Sequence, residues 1–249
     1  MQGKNTLRII SLVPSLTELL VDLGLEDAIV GVTKFCEYPK HIRKEKTIVG
    51  GTKTIHLDKI IALQPTHILC NKEENTKEIV ENCVKITATH VSDIYNIKDT
   101  LQLIKFYGTL FSREKEAYKL NTAIKKTQED FRVFIEEKPI LKVAYFIWKD
   151  PWMVAGNTTF INYLLAVNGF DNVYQNLSRY PEIELQSLKK VDLILLSSEP
   201  YPFKKKHIAE IKKHAVNTKI ILVDGAYFSW YGSRLLKAFN YFKTLRNSL

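Results

Sequence analysis

The sequence predicts an α/β protein of two lobes, each built on a mainly parallel sheet, joined by a single long α-helix. Three observations carry that prediction. Short apolar runs alternate with helical patterns towards both ends of the 249-residue chain, the grammar of parallel sheets covered by helices. The middle, from Lys98 to Glu137, breaks the alternation, with no strand pattern and one glycine, Gly108. A short helix, a buried strand and a carboxylate then recur in that order in both end regions. The expected boundaries are an N-terminal lobe over 1–111, a linking helix over 112–138 and a C-terminal lobe over 139–249. At about 150 residues per domain the length suits one large domain or two lobes.

In order, Arg8–Leu12 reads as a short apolar strand. After Pro14, Ser15-Leu16-Thr17-Glu18 has the pattern of a capping box, in which the Ser15 hydroxyl accepts the Glu18 amide and Glu18 reaches back. Leu16, Leu19, Leu20 and Leu23 recur at helical spacing, and Gly24 stands where a left-handed C-cap is wanted. Ala28–Thr33 is the next strand. Leu57–Leu63 reads as a helix stopped before Pro65, Thr66–Cys70 as a buried strand, Glu74–Cys83 as a helix and Lys85–Val91 as a strand.

Arg113–Glu137 reads as one helix, with Ala117, Leu120, Ile124, Phe131 and Ile135 forming its apolar stripe. At 1.5 Å rise per residue it is on the order of 37 Å long, longer than one compact lobe needs, so it is expected to span two. Pro139 ends it. The alternation then resumes. Leu141–Trp148 is a strand, Thr158–Asn168 a helix closed by Gly169, Leu185–Lys190 a short helix and Asp192–Ser197 a strand. Phe203–His214 is a helix, Thr218–Asp224 a strand and Ser233–Leu245 a closing helix.

The internal echo lies in two stretches. Leu57–Leu63 leads through Pro65 into Thr66–Asn71 and on to Glu73; Leu185–Lys190 leads through Val191 into Asp192–Ser197 and on to Glu199. Function collects in the loops at strand carboxyl ends of open α/β sheets, so one acidic loop per lobe is a candidate recognition pair.

Composition narrows the class. Hydrophobic residues make up 45% and aromatics 11%, which suits a packed core, and the 10 Gly and 8 Pro argue against long flexible linkers. Three cysteines exclude a fully paired disulfide framework. The net charge of +9 is scattered over Arg43, Lys44 and Lys46, Lys125 and Lys126, Lys204–Lys206, and Lys212 and Lys213. No stripe of basic residues interleaved with stacking aromatics emerges, so a solvated surface is read rather than a nucleic-acid partner. No run reaches the roughly 18 apolar residues of a membrane span. The polar opening, Met1–Leu7, has no apolar secretion signal, which leaves two readings: a chain retained in the cytoplasm, or one whose signal has been replaced.

There is no phosphate-cradling glycine loop, no G-x-S-x-G elbow, no H-E-x-x-H and no C-x-x-C. The six histidines are dispersed, so no catalytic or metal-ligating constellation is read. Cys70 and Cys83 stand at buried-looking positions. Cys36 lies in a loop among Phe35, Glu37 and Tyr38, either as a thiolate that coordinates a metal centre or as a partly buried free thiol. The aromatics after two strands are more informative. Trp148 and Trp152 flank Lys149-Asp150-Pro151, and Tyr227, Phe228, Trp230 and Tyr231 crowd 224–234. Aromatics on loops suggest the wall of a large, mostly apolar ligand site.

Arg8–Glu18, Val30-Gly31-Val32-Thr33, Tyr38-Pro39, Val49-Gly50-Gly51-Thr52, Leu57–Pro65 and Leu195–Pro200 together resemble the class III periplasmic binding proteins, the substrate-binding subunits of ABC importers for vitamin B12, haem and ferric siderophores. The match leans to the cobalamin-binding branch and runs over nearly the whole chain. The resemblance implies two α/β lobes on one long helix, ligand capture in a cleft between them, and one surface glutamate per lobe that docks onto the permease. Glu199 matches the C-lobe glutamate; the echo picks Glu73 for the N-lobe, with Glu74 and Glu78 as neighbours. The implied ligand residues are Cys36, Tyr38, Gly51, Thr52, Trp148, Trp152, Phe228, Trp230 and Tyr231.

The expected function is therefore non-enzymatic: a monomer that captures a metal chelate, a corrinoid first and a ferric siderophore or haem next, with no intrinsic cofactor, and passes it to an ABC-importer permease at the cell envelope. Two rival readings stand beside it, a cytoplasmic tetrapyrrole- or metal-handling enzyme on the same architecture and a direct metal-ion receptor built on Cys36.

Overall fold

A computed structural model describes residues 6–249; the polar opening segment over 1–5 lies outside the described residues. The chain divides into two compact units. The first runs to Ile124 and includes Tyr231–Arg234; the second comprises Lys125–Trp230 and Leu235–Leu249. The division thus falls inside the long helix rather than at its ends, and four residues near the C-terminus belong to the first unit.

The first unit contains β1 (Ile9–Ser11), α1 (Pro14–Asp22), β2 (Ile29–Val32), α2 (Ile42–Glu45), β3 (Thr47–Ile48), α3 (Leu57–Ala62), β4 (His67–Asn71), α4 (Lys77–Val84), β5 (Ala88–Ser92) and α5 (Ile97–Leu110). Its sheet has the order β3-β2-β1-β4-β5 and every pairing is parallel. All three residues of the central β1 are buried, as they must be when helices cover both faces. Ile10, Leu12, Ile68 and Cys70 from the sheet pack with Ile60, Ile79 and Cys83 from the helices into one core, which explains why Cys70 and Cys83 behave as small apolar side chains.

Two local expectations change. Helix α1 starts at Pro14 with Val13 as its N-cap and no side-chain cap bond, so Ser15 and Glu18 lie inside the helix on its buried face and form no capping box. Proline supplies the start instead, its missing N–H costing nothing in the first turn. Helix α4 begins at Lys77, three residues later than read, because the Thr76 hydroxyl accepts the Ile79 amide and caps it there. Gly24 has φ +72°, the left-handed conformation expected after α1.

Helix α6 (Glu114–Glu136) is unbroken over 23 residues, about 34 Å at 1.5 Å per residue. Ala117, Leu120, Ile124 and Phe131 are its buried stripe. Glu114 and Glu116 occupy the positive N-terminal turn, and Arg132 pairs with Glu129 and Glu136 on the exposed side.

The second unit contains β6 (Leu141–Trp148), β7 (Met153–Val154), α7 (Phe160–Val167), β8 (Phe170–Asn172), β9 (Leu193–Ser197), α8 (Lys205–Lys212), β10 (Lys219–Val223), α9 (Ala226–Ser229) and α10 (Leu235–Asn247). The sheet order is β10-β9-β6-β7, with β8 also paired to β6; only β7 runs antiparallel. The helix expected over Leu185–Lys190 shrinks to a 3-10 turn at Leu185–Ser187. The echo survives in the topology: β9 lies between β6 and β10 as β4 lies between β1 and β5.

Candidate ligand-binding loops

Every loop of interest leaves a strand at its carboxyl end, where an open α/β sheet presents backbone and side chains to ligands. In the first unit the loop after β2 exposes Phe35, which is 49% accessible. The Lys34 ammonium lies 5.1 Å from the centre of its ring. Gly51 lies beneath that ring: a methyl group on Gly51 would come within 3.1 Å of Phe35 Cε2. Sequence reasoning placed Gly51 and Thr52 here but passed over Phe35. The available signal was an aromatic off any periodic apolar face, the same signal that singled out Trp148.

Of the two readings of Cys36, the structure favours the buried free thiol over the metal-coordinating thiolate. It is fully buried, with its sulfur 3.1 Å from Thr17 Oγ1 and 3.3 Å from Thr33 Oγ1. Burial pushes the thiol above its ordinary range, outweighing those hydrogen bonds. It anchors the loop and keeps its proton. Tyr38 is half-buried, with the Arg234 guanidinium 4.0 Å from its ring centre. Thr52 is buried, and its carbonyl accepts from Asn75 Nδ2 at 3.0 Å. Tyr231 is buried in the same unit with its hydroxyl 3.3 Å from Ser92 Oγ, and burial raises its phenol pKa.

In the second unit Trp148, the last residue of β6, is 38% exposed and meets Tyr201 edge to face at 5.6 Å. Trp152 is half-buried, stacked on Phe203 at 6.0 Å and edge-on to Phe146, with Lys149 Nζ 5.1 Å from its ring centre. Lys149 is held by the Glu210 carboxylate at 2.6 and 2.7 Å. Phe228 does not line a surface: it is fully buried against Tyr145 and Phe242, because α9 turns its apolar side onto the sheet. Trp230 is buried as well. The aromatic cluster at 227–231 is therefore mostly core, whereas Phe35 in the first unit and Trp148 in the second are partly exposed.

The acidic loops share a construction. Asn71 ends β4, and its Oδ1 accepts the Glu73 amide at 2.8 Å and the Glu74 amide at 3.1 Å. Ser197 ends β9, and its Oγ accepts the Glu199 amide at 3.3 Å while donating to the Glu199 carbonyl at 2.5 Å. In both units a polar side chain at the last strand position pins the backbone of a glutamate two residues on. Glu199 Oε1 also accepts from Ser229 Oγ at 2.6 Å. Glu73 receives the Lys53 ammonium on its carbonyl at 2.7 Å.

A depression of about 270 Å³ at the end of β5 is lined by Ser92, Asp93, Ile94, Asp99, Gln102, Leu103 and Phe106, a set that includes none of the residues read from sequence. Among the described residues no helix is long and apolar enough to cross a membrane.

Comparison with known proteins agrees with this layout. The chain is similar to the uncharacterised ABC transporter substrate-binding lipoprotein YvrC of Bacillus subtilis, 26% identical over 209 residues, covering 76% of this chain and 62% of that protein's length. It is also similar to the vitamin B12-binding protein of Photorhabdus laumondii, 23% identical over 240 residues, covering 93% of this chain and 85% of the relative. Among solved structures, the periplasmic haem-binding protein RhuT from Roseiflexus sp. RS-1 superposes with a TM-score of 0.82 at 18% identity, over 98% of this chain and 99% of that one. The periplasmic vitamin B12 binding protein BtuF of Vibrio cholerae gives the same TM-score and identity over 97% and 96%. These two likenesses establish the two-lobe α/β fold. A family model described as periplasmic binding protein matches residues 9–220. On that match, which takes in the first sheet, the long helix and all of the second sheet but the end of β10, the chain belongs to the periplasmic binding protein family.

Proposed function

We propose that the chain is the ligand-capturing component of an ABC importer and that its cargo is a metal chelate, a corrinoid first, a haem or ferric siderophore next. What supports this reading is an exposed aromatic side chain at a strand carboxyl end in each unit, Phe35 after β2 and Trp148 as the last residue of β6, in a chain of this family. A large chelate offers apolar ring area, and covering it is worth about 25 cal/mol per Å² before ordering costs. Lys34, beside the Phe35 ring, supplies a cation at the rim for acidic side groups of the cargo. The relatives named vitamin B12-binding protein support the corrinoid, and the haem-binding structural neighbours support haem as the second candidate.

Glu73 and Glu199 are the docking acids in this reading, since each is pinned at its amide by the last residue of an equivalent strand. Their partners are basic side chains of the permease. The chain acts as a monomer, in the periplasm or at the cell envelope, as a solute carrier rather than an enzyme. Burial of Cys36 speaks against the direct metal-ion receptor built on that thiol.

Titration with cyanocobalamin, haemin and a ferric siderophore, followed by quenching of the three tryptophans, tests the reading. Saturable quenching by one of them is expected. No saturable response to any would overturn it.

A further inference from the structure

We propose that Glu26, His41 and Glu45 form a surface site for a divalent transition-metal ion of the zinc class. One donor atom from each residue lies within 4.8 Å of the other two. The arrangement comes from two separate elements. His41 is the N-cap of the short helix α2 and Glu45 its last residue, four positions apart, the spacing that sets two side chains side by side on one helical face and the one used when a helix supplies two ligands to a single metal. Glu26 opens the 3-10 turn before β2, and its Oε1 approaches His41 Nε2 at 2.5 Å.

The donor set selects the ion. Zinc-class ions bind imidazole nitrogen and carboxylate oxygen at about 2.0–2.2 Å, so donors spread over less than 5 Å converge with small rotamer changes. One imidazole and two carboxylates are too few oxygens for calcium and lack the thiolate that selects copper(I). His41 and Glu45 are exposed and Glu26 half-buried, so water completes the coordination shell. The nearby charges oppose the ion only in part. Arg43 turns away to donate to the Lys34 carbonyl at 2.9 Å, whereas Lys46 acts electrostatically on His41. The position has a consequence for the neighbouring loop. Glu26 precedes β2 and α2 follows 34–41, so a bound ion ties together the two ends of the segment that carries Phe35 and Tyr38.

The test uses the full chain stripped of metal with a chelator, titrated with Zn²⁺ by calorimetry and with Co²⁺ by visible absorption. One saturable zinc site and a cobalt spectrum typical of nitrogen and oxygen ligands are expected. His41→Ala and Glu45→Gln should each weaken zinc binding by about tenfold or more, at least the loss that follows removal of a ligand's outer-shell partner, while His214→Ala, an exposed histidine elsewhere, leaves it unchanged. Both variants alter exposed side chains, and circular dichroism checks that they fold. No saturable zinc binding, or an isotherm that His41→Ala leaves unaltered, overturns the proposal. Because the readout is metal alone, the result is independent of which chelate the protein carries.

Discussion

Arg234 and Glu18 are 216 positions apart in sequence, yet Arg234 Nε donates to Glu18 Oε2 at 2.8 Å with both side chains almost wholly buried. The pair fixes the Tyr231–Arg234 segment into the first unit, where the same guanidinium also covers the Tyr38 ring. Removing one partner strands a charge away from water. Arg234→Met or Glu18→Leu alone should each cost about 3–5 kcal/mol in urea unfolding, whereas the double change should recover most of that loss. Independent, additive losses in the double variant would show that the two side chains are not energetically coupled.

Acid should destabilise the protein as pH falls below about 6.5. His67 and His90 stack at 5.4 Å between ring centres, and burial lowers both pKa values, that of His90 also through the charge of His67. In the unfolded chain a histidine takes its proton near 6.5. The unfolded state therefore binds protons first as pH falls, so stability is full above about 6.5 and declines below it. His207, lowered mainly by burial, has the same sign, whereas His41, raised by Glu26 at the surface, has the opposite sign. The urea midpoint should be lower at pH 5.5 than at pH 7.5, and His67→Gln/His90→Gln should flatten that difference. A midpoint that does not move with pH would remove this role for the stacked pair.

Gly225 leaves no room for a side chain. A methyl group there would lie 2.3 Å from Ser197 Oγ and 2.6 Å from Glu199 Cγ, so Gly225→Ala must displace the turn that holds Glu199. We expect a loss of about 1–3 kcal/mol, the usual cost of overpacking, read as a lower melting temperature. Wild-type stability in this variant would mean that the turn yields without cost.

The proposed docking role of Glu73 and Glu199 is tested by separating capture from delivery. Glu73→Gln and Glu199→Gln should leave chelate affinity unchanged and reduce uptake through the cognate permease in reconstituted vesicles, the double variant most. Glu74→Gln serves as the neighbouring control. Full uptake by the double variant would place the docking surface elsewhere.

Much of the fold was legible because buried parallel strands and a 23-residue amphipathic helix write strong local patterns. The stripe Ala117, Leu120, Ile124 and Phe131 needed no tertiary information to be found. What failed was chemistry decided at long range. Ser15 and Glu18 have capping-box spacing, but the partner of Glu18 is Arg234, which no local window contains. Phe228 sits in a loop-like stretch, yet it is sealed by Tyr145 and Phe242, and of the two readings of Cys36 only the buried thiol survives, sealed by Thr17 and Thr33. Burial of a loop residue depends on what folds over it. The metal-ligand cluster was invisible for the same reason, since Glu26 joins His41 only once the turn before β2 packs beside α2.

The most direct measurement is equilibrium titration of cyanocobalamin and haemin into the wild-type chain and into Phe35→Ala and Trp148→Ala, by calorimetry so that lost tryptophan signal does not matter. If each of these exposed rings contributes to chelate binding, each variant should bind the wild type's preferred chelate about tenfold or more weakly, equivalent to about 1.4 kcal/mol, with an unchanged melting temperature. Wild-type affinity in both variants would contradict the assignment of these loops to chelate capture.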